Sequence, residues 1–137
     1  MLRYPFTPKS NRKLVPGQFW ALPLSDGRFA CGRVMTVPAF GPSDRTGFVA
    51  GIMDWVGAEP PNSDEVVGRA VLAQGKTRFE AISSTGGEVL GHRPLELDNL
   101  VADDPDDCRI GARHTVWGWK TLVSTAEQIF IQRERIE

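Results

Sequence analysis

The chain has 137 residues, which is room for one domain, and 41% hydrophobic with 24% charged residues is typical of a globular protein. A formal net charge of -1 gives no overall attraction to nucleic acid or to a membrane surface. The 14 glycines and 10 prolines indicate many turns and short strands, and they argue against a helix bundle.

Residues 1–16 are basic and contain proline, and we interpret them as an N-terminal arm leading into a single domain over residues 17–137. The first strong local signal inside this domain is Asp26-Gly27, which lies between two apolar runs. Such a pair predicts a β-hairpin, because both residues tolerate a positive φ. Pro23 donates no hydrogen bond to a neighbouring strand, so we expect an edge or a bulge on its side.

The length of the hairpin loop decides which side chains share a face of the sheet. A two-residue loop, which we favour, sets Trp20 opposite Arg33. It places six side chains on one face: Trp20, Leu22, Leu24, Phe29, Cys31 and Arg33. The main competing register has a three-residue loop with a bulge.

The middle of the chain predicts three further strands and a short helix. Residues 48–56 are apolar on both faces, which predicts a central strand covered on both sides. Asn62 with Glu65 predicts a capped helix over residues 62–71. Two more strands are predicted on either side of a glycine turn, over residues 76–82 and 88–90. Residues 95–97 extend the strand over residues 88–90 in this interpretation.

Residues 115–120 predict a strand in which Trp117 and Trp119 share one face. Ser124 and Glu127 form a capping box that predicts a C-terminal helix up to residue 136, with a strand over residues 128–132 as the alternative. Together these elements predict an α+β fold, in which a strongly bent antiparallel sheet forms a partly open small barrel with two short helices.

The sequence contains no recognisable pattern for catalysis or for a cofactor. His92 and His114 lack the spacing of a metal-binding pair, and neither lies in a nucleophile motif. Cys31 and Cys108 are far apart without a CxxC spacing, so we expect two unpaired thiols. We therefore predict that the chain is not an enzyme and has no catalytic, cofactor or metal site.

Two features are candidates for binding a partner. Residues 46–110 carry five Lys/Arg against twelve Asp/Glu, and six of these carboxylates fall close together: Glu96, Asp98, Asp103, Asp104, Asp106 and Asp107. Such a surface attracts a basic partner, although a merely solvated loop is the alternative explanation. The face of Trp117 and Trp119 is the second candidate, with burial in the core as its alternative.

Residues 15–35 resemble the opening of the immunity protein 26 family, in which a glycine precedes an apolar strand, an Asp-Gly turn and a Gly-Arg-Val segment. The matching positions are Gly17, Pro23, Leu24, Asp26, Gly27, Arg28, Phe29, Gly32, Arg33 and Val34. Residues 89–95 give a second, weaker match, although Gly86-Gly87-Glu88 stands where the family commonly has an aromatic residue.

This resemblance implies a bacterial, cytoplasmic immunity protein that binds and neutralises one cognate toxin domain of a polymorphic toxin system. The motif residues are then expected to determine the fold. The start of the chain agrees, because it has no apolar stretch of the secretory-signal type. We expect neither a membrane nor a nucleic-acid partner. The alternative is a small β-barrel adaptor that binds another protein, or nucleic acid through the basic residues between 3 and 33.

Overall fold

The computed structural model describes residues 3–37, 47–101 and 117–132. Its five strands form one antiparallel sheet in the order β4-β3-β2-β1-β5, and two short α-helices accompany it, so the predicted α+β class is confirmed. The strands and helices are β1 (Gln18–Pro23), β2 (Phe29–Thr36), β3 (Gly47–Gly57), β4 (Val71–Arg78), α1 (Glu80–Ser83), β5 (Val89–His92) and α2 (Trp119–Glu127). A 3₁₀ segment (Leu95–Asp98) follows β5, and a π-helical segment (Gln128–Gln132) follows α2.

The β1–β2 hairpin forms at the predicted place but in the competing register. The Leu24 N–H donates to the Arg28 carbonyl over 2.8 Å, which leaves a three-residue loop. Gly27 has a φ of 88°, a left-handed conformation that suits glycine, and it closes the loop. Trp20 therefore pairs with Gly32, and the predicted pairing of Trp20 with Arg33 is wrong.

This one-residue difference divides the six side chains that were expected on one face between two faces. Trp20, Leu22 and Leu24 belong to the main hydrophobic core. Cys31 and the partly buried Phe29 belong to a second cluster on the opposite face. The first face packs against α2, so the loop length determines which of the two residue sets the helix covers.

The central strand is confirmed. β3 pairs with β2 on one side and β4 on the other, and both of its faces are covered. Phe48 and Ile52 lie in the main core, whereas Met53 and Trp55 lie in the second cluster.

Three predicted elements take another form. Residues 63–68 form turns and not the predicted helix. The Asn62 side chain accepts the Glu65 N–H as a helix cap would, but Gly68 adopts a φ of 68°, which ends the segment. The strand predicted over residues 76–82 ends at Arg78, and α1 follows it. The expected strand over residues 95–97 is wrong, because these residues belong to the 3₁₀ segment.

The strand predicted over residues 115–120 is also wrong in its described part. Gly118 is extended, with a ψ of 166°, and its carbonyl accepts the Leu122 N–H, so the helix begins at Trp119. Ser124 lies inside this helix and does not cap it. The helical interpretation of residues 128–132 is confirmed over the strand alternative, since the π-helical segment occupies them.

The main core lies between one face of the sheet and the helices. Trp20 is fully buried at its centre, packs edge-on against Phe48 with ring centroids 6.0 Å apart, and donates its indole N–H to Thr85 over 3.1 Å. Leu122 and Phe130 close the core from the helical side. The N-terminal arm lies against the same body, because Phe6 forms a β-bridge with Val89.

Candidate functional site

The acidic candidate surface is described only in part. Asp103, Asp104, Asp106 and Asp107 lie outside the described residues. Glu96 is exposed, whereas Asp98 is buried to 7% exposure within the same 3₁₀ segment. Asp98 is therefore not presented to a partner together with Glu96.

Asp98 instead forms a buried ion cluster with two arginines. Arg93 donates its Nε–H to both carboxylate oxygens at 2.9 and 3.0 Å, and Arg33 donates from Nη1 to Oδ2 at 3.1 Å. The Gly68 N–H completes the set at 2.9 Å. Burial raises the pKa of the Asp98 carboxyl, but the hydrogen bonds from Gly68, Arg93 and Arg33 outweigh it and hold the pKa below its ordinary value.

Arg33 is the centre of this cluster, and its side chain is 0% exposed. Besides Asp98, it donates to the carbonyls of Gly17 and Arg93. Gly17 has a φ of 102°, and a side chain there would collide with the Arg93 carbonyl. The two segments that carry the family resemblance thus meet at Arg33, where their polar residues fasten β1 and β2 to the segment after β5.

The other motif residues also have contacts within the fold. Asp26 and Arg28 form an exposed ion pair of 2.7 Å across the hairpin loop. Glu127 of α2 accepts hydrogen bonds from the Ser25 N–H and hydroxyl at 2.7 and 2.8 Å, which ties the loop to the helix. Pro23 is exposed at the end of β1, beyond the residues that pair with β5, as an edge position requires.

Gly32 allows the Trp20 ring to lie directly on β2. A Cβ atom at Gly32 would stand 2.5 Å from Trp20 Cε2. The glycine is therefore part of the main core, and the motif around it serves packing.

The second candidate, the pair Trp117 and Trp119, leads to an open cleft. The cleft has a volume of about 820 Å³ and lies where the end of β4, α1 and the start of α2 meet. Its lining includes Gly47, Lys76, Thr77, Arg78, Glu80, Ala81, Ser84, Trp117, Gly118 and Trp119.

The two tryptophans have different roles in this cleft. Trp117 is buried, packs on Gly75, and donates its backbone N–H to the Lys76 carbonyl over 2.8 Å. Trp119 is 41% exposed. They do not share a face as predicted, because the chain turns from extended to helical between them. Trp117 is the wall of the cleft, and Trp119 stands at its opening.

The charges around the cleft were not identified from the sequence. Lys76 and Arg78 of β4 line it, and Lys120 lies beside it with its Nζ 5.6 Å from the centroid of the Trp119 ring. Glu80 is the carboxylate among the described lining residues. Its Oε2 is buried, and no donor in the described part of the chain lies within hydrogen-bond distance of it. The one sequence signal for these neighbouring charges is the i, i+2 spacing of Lys76 and Arg78, which places both side chains on the same face of a predicted strand.

The remaining reactive groups offer no second site within the described residues. Cys31 is buried, and burial raises the pKa of its thiol to about 12, which removes its nucleophilic form near neutral pH. Cys108 lies outside the described residues. No three His, Cys, Asp or Glu side chains in residues 3–37, 47–101 and 117–132 form a group that could hold a metal ion.

Over the same three described ranges, no helix has the length and apolar character that crossing a membrane requires. Comparison of the chain with protein-family models, with curated proteins and with solved structures finds no match in any of the three.

Proposed function

We propose that this chain is a non-enzymatic, cytoplasmic immunity protein that binds and neutralises a cognate toxin domain of a bacterial polymorphic toxin system. The observation that carries a binding role is the open cleft with Trp119 at its opening. Tryptophan is enriched among the residues that contribute most to protein–protein binding energy. Trp119 lines a cleft of about 820 Å³ and is 41% exposed, so it offers a large apolar surface to a partner.

The class of partner comes from the resemblance to the immunity protein 26 family. The residues of that resemblance lie in two segments, 15–35 and 89–95, which are distant in sequence. The segments meet in the fold, where the Arg33 side chain donates to the Arg93 carbonyl. Because distant segments come together there, the resemblance concerns residues that build the fold. This supports family membership without identifying an interface.

We also propose that the sheet bends strongly into a partly open small barrel. Register shifts interrupt the β1–β5, β2–β3 and β3–β4 pairs, and such bulges increase the local twist of a sheet. An experimental structure with a flat sheet would contradict this part of the proposal.

The acidic segment stays a prediction for a second part of the interface. If the toxin is a nuclease, its active site is basic, and carboxylates near Glu96 attract it and accelerate association. The test replaces Asp103, Asp104, Asp106 and Asp107 together by Asn and measures association with the toxin domain at two salt concentrations. We expect a slower association rate at low salt, while the exposed control Asp64→Asn keeps the original rate. An unchanged rate in a folded variant would make the segment solvated surface.

A growth experiment tests the binding role of the cleft. The proposed function predicts a toxin domain encoded beside this gene, and that domain is expressed in bacteria with the chain or with a variant. We expect the original chain to restore growth and Trp119→Ala to lose that protection. Val67→Ala is the matched control, because Val67 is also an exposed apolar residue but lies outside both the cleft lining and the acidic segment. Full protection by Trp119→Ala at equal protein levels would remove the cleft from the interface.

The alternative function, an adaptor for another protein or for nucleic acid, is favoured by one observation. Arg3, Lys9, Arg12 and Lys13 of the N-terminal arm are all exposed. Binding through phosphates weakens steeply and linearly with the logarithm of salt concentration. A steep salt dependence of binding to an oligonucleotide, with no binding to the toxin domain, would favour this alternative.

A further inference from the structure

Two hydrogen-bond donors on buried residues open into the cleft. Thr77 and Trp117 line it and are each 5% exposed. Within residues 3–37, 47–101 and 117–132, no group accepts a hydrogen bond from the Thr77 hydroxyl or from the Trp117 indole N–H. A buried indole N–H usually has a partner, so these two donors indicate a place for an acceptor that a bound molecule supplies.

Both donors can be reached from the cleft. In the described part of the chain, Glu80 Oε2 is the one fully buried side-chain oxygen or nitrogen without a partner. The Thr77 hydroxyl and the Trp117 indole N–H also lack partners there, so they are not fully buried and solvent reaches them. The cleft is the opening that both residues line.

The fold places the two donors side by side with one cation. The Trp117 ring lies on Gly75, where a Cβ atom would stand 2.7 Å from Cε2, the atom bonded to the indole nitrogen. Thr77 follows Gly75 by two positions in β4, so it lies on the same face of the strand. Arg78 lines the same cleft, is exposed, and forms no ion pair with a carboxylate of the described residues.

These groups define the chemistry of the molecule that fits. An indole N–H and a guanidinium donate hydrogen bonds and accept none, and a guanidinium pairs best with a carboxylate or a phosphate. Glu80 also lines the cleft, and its charge repels a doubly charged phosphate more than a singly charged carboxylate. The rings of Trp117 and Trp119 favour a flat apolar body, and about 820 Å³ is a usual volume for a small-molecule site.

We propose that the cleft binds a small aromatic carboxylic acid. Its carboxylate accepts hydrogen bonds from Thr77 and Trp117 and faces Arg78, while its ring lies against Trp119. This site goes beyond the proposed function and does not depend on it, because every group that recognises the acid belongs to this chain.

The direct test titrates the whole chain at neutral pH and follows the indole N–H resonance of Trp117, assigned with Trp117→Phe. The probes are benzoate, the uncharged benzamide and the doubly charged phenyl phosphate, at equal ionic strength. We expect benzoate to shift the resonance saturably and to bind more tightly than the other two probes. No response to benzoate, or tighter binding of benzamide or phenyl phosphate, would overturn the proposal.

Variants of the two polar contacts locate the carboxylate. Thr77→Val removes the hydroxyl but keeps the shape, and it should weaken benzoate binding about two- to tenfold, whereas Thr77→Ser keeps the hydroxyl and the affinity. Arg78→Gln should weaken binding about two- to fivefold at low salt. Arg69→Gln is the control, because Arg69 is exposed but does not line the cleft. Original affinity in both Thr77→Val and Arg78→Gln would overturn the proposal.

The toxin domain separates this site from the proposed function, because an acidic side chain of a partner offers the same carboxylate. Trp119 belongs to both proposals, so saturating benzoate should weaken toxin binding. If Thr77→Val also weakens toxin binding, the toxin places a carboxylate of its own in the cleft, and if it does not, the site serves the free acid. If the chain does not bind the toxin at all, the proposed function fails, and the benzoate titration still decides whether the carboxylate site exists.

Discussion

Replacing Arg33 by Met tests whether the buried ion cluster holds the fold together. The side chain of Arg33 is fully buried, and it donates to Asp98, Gly17 and Arg93. Removing one partner of a buried ion pair costs about 3–5 kcal/mol. Asp98 keeps Arg93 and the Gly68 N–H as donors, so we expect a loss at the lower end, about 3 kcal/mol.

Urea unfolding followed by circular dichroism measures this loss. With a urea m-value of about 2 kcal/mol/M, a loss of about 3 kcal/mol lowers the midpoint by roughly 1.5 M. Arg69→Met is the control, because Arg69 is exposed and the loss of a surface charge changes the stability by less than about 1 kcal/mol. Equal midpoint shifts in the two variants would refute the role assigned to Arg33.

Three further results are expected. The folded-state pKa of Asp98 lies below its ordinary value of 3.8, so the stabilisation by its carboxylate is present above that pH and is lost as the pH falls through the folded value. In urea unfolding at a series of acid pH values, the free energy of unfolding should therefore fall less steeply with decreasing pH in Asp98→Asn than in the original chain. The same pH dependence in both proteins would count against the ion cluster. Gly32→Ala forces a methyl group against Trp20 and should lower the free energy of unfolding by about 1–3 kcal/mol in urea, whereas an unchanged midpoint would contradict the close contact. Cys31, studied in a Cys108→Ser background, should react with a thiol reagent only after unfolding, and rapid reaction of the folded chain would contradict its burial.

The hairpin illustrates how far local sequence signals reach. Asp26-Gly27 locates the turn correctly, because the requirement for a positive φ is a local property. The same two residues fit both a two-residue and a three-residue loop, and the choice depends on which register places Trp20 and Leu22 against the helical side. The loop length therefore depends on how the hairpin packs against the helices, and it cannot be predicted from the turn residues alone.

The binding features were harder to predict because distant residues build them. Asp98 was grouped with its acidic neighbours in sequence, whereas in the fold it pairs with Arg33, 65 positions away. The cleft combines the end of β4 with α1 and the start of α2, and its position depends on the turn at Gly118. Composition identified the tryptophans as candidates, but it did not separate the buried Trp117 from the exposed Trp119.

The most direct test of the proposed function is calorimetric titration of the purified chain with the purified toxin domain that the proposal predicts beside its gene. We expect saturable binding at one-to-one stoichiometry and, in the same samples, loss of the toxin's activity in proportion to the complex formed. An absence of heat and of inhibition, with both proteins folded, would contradict the proposal that this chain is an immunity protein for that toxin.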